Sequence, residues 1–258
     1  MPPSTYILQT QGLAREFSGF AAVDGVDLRV RRGQIHALIG PNGAGKTTVF
    51  NLLTKFLAPS RGTITFEGED ITRDGPAEVA RKGLVRSFQI SAVFPSLTAL
   101  ENVRVALQRK LGTSFHFWKR ESTLSSLNGR AMELLRVVDL QGFASVPAGE
   151  LPYGRKRALE IATTLAADPT LLLLDEPTQG MGHEDIDRVT ELIARVGGHR
   201  TVLMVEHNMS VVARIAHTIT VLQRGRVIAE GPYAQVSRDP QVLEAYMGTE
   251  QAMEAVHG

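Results

Sequence analysis

Apolar positions along this 258-residue chain fall into two rhythms. Short apolar runs at 35–39, 171–174 and 201–205 predict core strands, and the four consecutive leucines at 171–174 suit a strand buried on both faces. Between these runs the spacing turns helical. Val49, Leu52 and Leu53 predict a helix over 46–55, and Ala158, Ile161, Ala162 and Leu165 predict one over 154–167 that ends at Asp168-Pro169. Ile186, Val189, Ile193 and Val196 mark a third helix. Strands alternating with helices imply a largely parallel sheet. At the N-terminal end, 7–30 mixes short alternating runs with turn residues and closes at Arg31-Arg32-Gly33, which predicts antiparallel strands. A strand at 63–66 follows the break at Ala58-Pro59-Ser60-Arg61-Gly62, and a hairpin is expected from 218–222 to 227–229 around Gly225. From about 91 to 150 the character changes: Ala131, Leu134, Leu135 and Val138 share one helical face among loops rich in Ser, Gly and Pro. That stretch predicts a helical lobe inserted into the α/β core.

Composition narrows the partners. Hydrophobic residues make up 43% and charged residues 21%, and 28 Lys plus Arg face 27 Asp plus Glu, so charge gives no case for broad nucleic-acid binding. There is no cysteine, which excludes disulfides and thiolate metal sites and fits a reducing compartment. No apolar stretch approaches the ~18 residues of a membrane span. The first five residues lack the basic and apolar regions of a signal peptide. Service to a membrane would run from its surface, through a partner.

The chemistry concentrates at strand ends. Gly40-Pro41-Asn42-Gly43-Ala44-Gly45-Lys46-Thr47 matches G-x-x-x-x-G-K-[ST] between the strand at 35–39 and the helix that begins at 46, and Thr48 continues it. Glycines let several backbone N–H groups converge on one anion, and the helix N-terminus adds its positive end. Lys46 can reach the β- and γ-phosphates, and Thr47 can offer its hydroxyl to Mg²⁺. The pattern predicts a nucleoside triphosphate site. The leucine run then ends in Asp175-Glu176-Pro177, which delivers two carboxylates to the carboxyl edge of the sheet. Asp175 suits Mg²⁺, directly or through water, and Glu176 suits the attacking water, as general base or orienting acceptor. Gln89 offers an amide oxygen to Mg²⁺ or that water, and His207, after Glu206, offers a hydrogen bond to the γ-phosphate. Alone, a surface glutamine and a strand-end histidine are more often structural.

In this order the residues resemble a family. GPNGAGKTT, Gln89, LPYGRKRALEIA, LLLLDEP and His207 resemble the nucleotide-binding subunit of an ATP-binding-cassette (ABC) transporter along nearly the whole chain. The resemblance implies one nucleotide-binding domain over 1–258. Its P-loop NTPase core of 1–90 and 151–258 would carry an antiparallel β subdomain, with an inserted α-helical subdomain at 91–150. It implies that two such domains dimerise head to tail, each ATP lying between one phosphate loop and the other's signature, here Leu151, Pro152, Tyr153, Gly154 and Arg155. By the same match Gln89 is the Q-loop glutamine, Glu176 the catalytic carboxylate and His207 the switch histidine. Phe17 matches the aromatic that stacks on adenine, with Phe20 as its competitor.

Finer features are similar to the ATPases of branched-chain amino acid importers, and this chain to the longer of their two ATPases. They are the run RSFQISAVFPSLTALENVRVAL, the segment 108–128, LPYGRKRALEIA, and the ending EGPYAQVSRDPQVLEAYMG. Related systems carry amides, urea or aromatic acids, and the ATPase never touches the cargo. The resemblance implies a peripheral subunit on the cytoplasmic face of the membrane, working with ATP and Mg²⁺. Its partners would be membrane-spanning permease subunits, a second ABC ATPase and, indirectly, an extracytoplasmic binding protein. A soluble ABC ATPase acting on nucleic acid or ribosomes is the competing class; it would call for long coiled coils or two cassettes, and the chain has neither. Two departures stand out. The family's signature Leu-Ser-Gly-Gly-Gln has lost its serine hydroxyl here, and Gly182 falls where the D-loop aspartate is usual. Phe115-His116-Phe117-Trp118 reads as lobe core or as a patch meeting a membrane subunit.

Overall fold

A computed structural model describes residues 5–87, 93–108 and 127–246. The aromatic cluster 115–118 lies outside the described residues. Three N-terminal strands, β1 (Tyr6–Phe17), β2 (Phe20–Val26) and β3 (Arg29–Arg31), join β5 (Arg61–Phe66) and the short β6 (Glu69–Asp70) in an antiparallel sheet. β1 pairs with β2 along its second half and with β3 and β5 along its first, shifting register between. The second sheet has the order β11-β10-β4-β9-β8-β7. Its strands are β4 (Ile35–Ile39), β7 (Leu84–Ser87), β8 (Leu171–Asp175), β9 (Thr201–Val205), β10 (Thr218–Gln223) and β11 (Arg226–Gly231). All pairings in it are parallel except the β10–β11 hairpin.

The central strands are buried at every position, and alternate side chains enter two different cores. Leu38, Leu171, Leu173, Leu203 and Val205 face α1 (Lys46–Leu53) and the antiparallel sheet beyond it, with Val49, Phe50, Leu52 and Leu53 filling that layer. Ile35, Ala37, Leu172, Leu174, Val202 and Met204 face the opposite core. There α5 (Tyr153–Leu165), α6 (His183–Gly197) and α7 (Met209–Ile215) pack with α3 (Ala99–Gln108) and α4 (Asn128–Val137). The described residues also include the short helices α2 (Pro76–Arg81) and α8 (Tyr233–Val236). Both faces of the parallel sheet are thus covered, which is why its strands read as unbroken apolar runs.

Where pattern and structure differ, polar atoms explain it. The first helix ends at Leu53 instead of 55: Thr54 Oγ1 donates to the Phe50 carbonyl at 2.7 Å, and Lys55 takes φ +65°. Strand β7 carries no clear apolar signal, since only Leu84 and Ser87 are buried on this edge. α7 is short but capped, the Asn208 side chain accepting from Ser210 N and Val211 N. Thr98 and Glu101 form a reciprocal cap on α3, Thr98 N donating to Glu101 Oε2 at 2.8 Å and Glu101 N to Thr98 Oγ1 at 3.2 Å.

Candidate nucleotide-binding and hydrolysis site

The phosphate loop links β4 to α1 through three glycines with positive φ: +147° at Gly40, +77° at Gly43 and +102° at Gly45. Two of them also lack room. A Cβ on Gly40 would lie 2.1 Å from the Leu222 carbonyl oxygen, and one on Gly45 2.6 Å from that of Ala22. The loop is therefore wedged between β10 and β2, and Gly225 N donates to the Ala44 carbonyl at 2.9 Å from the β10–β11 turn. Lys46, the first residue of α1, donates from Nζ to the carbonyls of Gly40 (2.7 Å) and Pro41 (3.0 Å). Burial lowers its ammonium below the usual lysine range, and the carboxylates of Glu176 and Asp175 offset part of that. Thr47 is exposed beside it, and Thr48 is half-buried.

Asp175 closes β8 and Glu176 begins the turn after it, at φ +43°. Asp175 is buried, and its Oδ2 accepts from Arg86 Nη2 of β7. Arg86 also donates to Asn51 Oδ1 of α1 at 2.7 Å. Arg157 of α5 holds the same corner, donating to the Asp175 carbonyl at 3.0 Å and to Glu160 Oε2 at 2.8 Å. The exposed Thr47 hydroxyl and the Asp175 carboxylate offer hard oxygen ligands, the donor chemistry that suits Mg²⁺. Gln89, the third expected oxygen, lies outside the described residues. Among those described, no three His, Asp or Glu side chains form a ready metal cage. A cation here would draw on few protein ligands, as Mg²⁺ beside phosphates does.

Glu206 ties two strand ends together. Fully buried, it accepts on Oε1 from the Thr178 N–H (3.1 Å) and hydroxyl, and on Oε2 from His207 N (2.8 Å) and Asn208 N (3.0 Å). The turn after Glu176 and the residue His207 thus hang on one carboxylate. The His207 ring is half-exposed, its Nδ1 4.0 Å from Glu206 Oε2.

Residues 151–155 form the first turn of α5 and the residues before it. Leu151 is buried, Pro152 stands just before the helix, and Tyr153 is exposed with its hydroxyl donating to the Gln179 carbonyl at 3.3 Å. A Cβ on Gly154 would press on the Asp185 side chain, 2.5 Å from its Oδ1, and could enter only if that side chain moved. Arg155 lays its guanidinium 3.8 Å from the Phe143 ring centroid and so faces its own lobe. Near the other end, Phe17 is 41% exposed under Arg15, 4.7 Å from its ring, and Phe20 is 70% exposed; the more sheltered Phe17 offers the firmer platform.

The family model described as ABC transporter matches residues 23–179, which include the phosphate loop and the Asp175-Glu176 turn. The chain belongs to the ABC transporter family. A second family model, the branched-chain amino acid ATP-binding cassette transporter, matches 226–252 at the C-terminal end. The high-affinity branched-chain amino acid transport ATP-binding protein BraF of Pseudomonas aeruginosa is 41% identical over 94% of this chain and 98% of its own. LivG of Escherichia coli, with the same description, is 37% identical over the same shares. The cassette is also similar to the solved structure of MJ1267, an ATP-binding cassette of an ABC transporter in its ADP conformation. That likeness has a TM-score of 0.84 and 31% identity, covering 95% of this chain and all of that one. The cassette is an ATP-hydrolysing subunit. Among its described residues, no helix is long and apolar enough to cross a membrane.

The fold sets Lys46 and the Asp175-Glu176 turn at the same edge of the parallel sheet, whereas 151–155 stand at the start of a different helix. Three members of the corner were missed in the sequence: Arg86, Arg157 and Glu206. An acid directly after an apolar strand and an arginine among the apolar positions of a helix were the signals available. Neither names its partner, because the partners lie 89, 18 and 28 residues away in the chain.

Proposed function

We propose that this cassette energises an importer of branched-chain amino acids from the cytoplasmic face of the membrane, as the longer of two ATPases. The phosphate loop with Lys46 follows β4, and Asp175-Glu176 close β8, at the same carboxyl edge of one parallel sheet; that placement carries the hydrolytic part of this reading. The 41% likeness to BraF and the C-terminal match at 226–252 support the cargo. In this reading the N–H groups of 40–48 cradle the phosphates and Phe17 stacks on adenine. Thr47, Asp175 and Gln89 would hold Mg²⁺, which supplies charge neutralisation at the β- and γ-oxygens. Glu176 polarises the attacking water and His207, oriented through Glu206, hydrogen-bonds the γ-phosphate.

The permease subunits dock beside the loop that follows β7. Phe94 is 53% exposed there, and Asn102 fastens 94–98 to α3, accepting from Phe94 N at 2.7 Å and donating to the carbonyls of Phe94, Leu97 and Thr98. Phe94→Ala should weaken coupling of turnover to transport while leaving ATP affinity alone. In a head-to-tail pair with the second ATPase, residues 151–155 meet the partner's ATP without a serine hydroxyl. A hydrogen bond to a charged phosphate contributes roughly 1.5–3 kcal/mol, so the two sites should turn over unequally, the one containing Glu176 being faster.

The test is reconstitution in vesicles with the permease subunits, second ATPase and binding protein encoded beside this chain. ATP-dependent uptake of labelled leucine, isoleucine or valine is the expected result. Uptake of urea, amides or aromatic acids instead would replace the cargo, and ATP turnover indifferent to any permease would overturn the importer reading.

A further inference from the structure

Arg86 stands at a junction that the hydrolytic reading leaves without a role for it. It sits in edge strand β7, three residues before Gln89. Its side chain is 10% exposed and that of Asp175 2%, so the ion pair between them is almost dry. Asn51 of α1 holds the other arm of the guanidinium at 2.7 Å, and the Phe50 ring lies 5.7 Å from its centre. One guanidinium therefore spans the helix that leaves the phosphate loop, the edge strand that leads to Gln89 and the carboxylate that ends β8. The fork geometry of arginine suits it to this bidentate task, where a lysine would reach one partner at a time.

We propose that Arg86 is the exchangeable counter-ion of Asp175: a divalent cation arriving with nucleotide takes the carboxylate from the guanidinium, and β7 registers the exchange. The inference rests on the assignment of Asp175 as the carboxylate beside the metal. A guanidinium and a dication cannot both lie against one buried carboxylate without strong mutual repulsion, because little solvent screens them. Arg86 thus lowers the intrinsic cation affinity of the site. The released guanidinium stays tethered through Asn51 and moves with its strand. Cation occupancy is thereby registered in β7, which precedes Gln89 in the sequence. This gives the cassette a way to tell nucleotide with its metal from nucleotide alone.

The experiment measures Mn²⁺ affinity by electron paramagnetic resonance on the full chain saturated with ADP, so that no turnover is involved. Arg86→Gln removes the competing charge and should bind Mn²⁺ about tenfold more tightly, while Arg86→Lys keeps the charge and stays within about threefold of wild type. Unchanged or weaker binding in Arg86→Gln overturns the proposal and leaves Arg86 a structural strut. Asp175→Asn reports separately on the underlying assignment. If it leaves Mn²⁺ affinity intact, the metal reading itself fails; if it weakens Mn²⁺ and Arg86→Gln fails to tighten it, only the counter-ion exchange fails. Should Arg86→Gln not fold, hydrogen exchange on the wild-type chain decides. Adding Mg²⁺ to the ADP-saturated protein should change exchange in the peptide covering Leu84–Ser87 by more than twofold, and no change overturns the exchange.

Discussion

Replacing Glu206 by glutamine isolates the one carboxylate that joins the catalytic turn to His207. The change preserves shape, so packing is not confounded. The wild-type side chain accepts four hydrogen bonds, two from Thr178 and one each from the backbone of His207 and Asn208. Glutamine best turns its oxygen toward His207 N and Asn208 N and its NH₂ toward the Thr178 hydroxyl, which can accept. The Thr178 N–H is then left without an acceptor in a fully buried site. One orphaned buried donor costs about 1–3 kcal/mol, and the remaining bonds lose the strength that a charged acceptor gave them. Relief from burying a carboxylate offsets part, for a net loss of about 2–4 kcal/mol. For a chain of this size that lowers the melting temperature by about 4–16 °C. None of the four bonds goes to residues 40–48, so ATP affinity should stay within about threefold of wild type. Turnover should fall by about ten- to a hundredfold, because His207 loses the group that sets it. Differential scanning fluorimetry, nucleotide titration and steady-state ATPase in the assembled transporter give the three readouts. A melting temperature within about 2 °C of wild type would refute the hydrogen-bond accounting. A large thermal loss with unchanged turnover would show that Glu206 staples the fold without positioning His207.

Glu176→Gln should retain ATP binding and lose about 10²–10⁴-fold in turnover, as expected when a general base is neutralised; undiminished ATPase activity would remove Glu176 from catalysis. Lys46→Ala should weaken ATP binding itself, by equilibrium titration, because it deletes the cation at the phosphates. Gly40→Ala should fail to bind nucleotide and should destabilise the fold, since its Cβ would sit 2.1 Å from the Leu222 carbonyl oxygen; a soluble variant with normal ATP affinity would contradict the close approach. Burial pushes the His36 imidazole down to about 4, so the folded state holds it neutral while the unfolded chain takes up a proton near pH 6.5. Its contribution is therefore complete above about pH 6.5 and lost as pH falls toward about 4, a swing of about 3 kcal/mol that should be missing from the pH-dependence of unfolding in His36→Gln.

Much of this cassette is legible without coordinates, because its signals are local. The phosphate loop needs glycines at fixed offsets between a strand and a helix, and 40–47 supply them; the structure adds only that Leu222 and Ala22 crowd two of them. The leucines of β8 announce a strand covered on both faces, and such a strand ending in Asp-Glu declares where the acids emerge. Helical spacing likewise marked the inner faces of α5 and α6. What tertiary structure alone decided is who touches whom across sequence distance. β7 carried too little apolar signal to be read as a strand, yet its register beside β8 is what sets Arg86 against Asp175. Glu206 looked like a spacer before His207 until the parallel pairing of β8 with β9 brought Thr178 over it. Arg155, the last residue of the 151–155 signature, turns toward Phe143, whose aromatic face the lobe supplies there. Local pattern encodes strands, helices and loops through steric and hydrophobic periodicity; ion pairs and buried carboxylates depend on register and layer packing, which no single segment specifies.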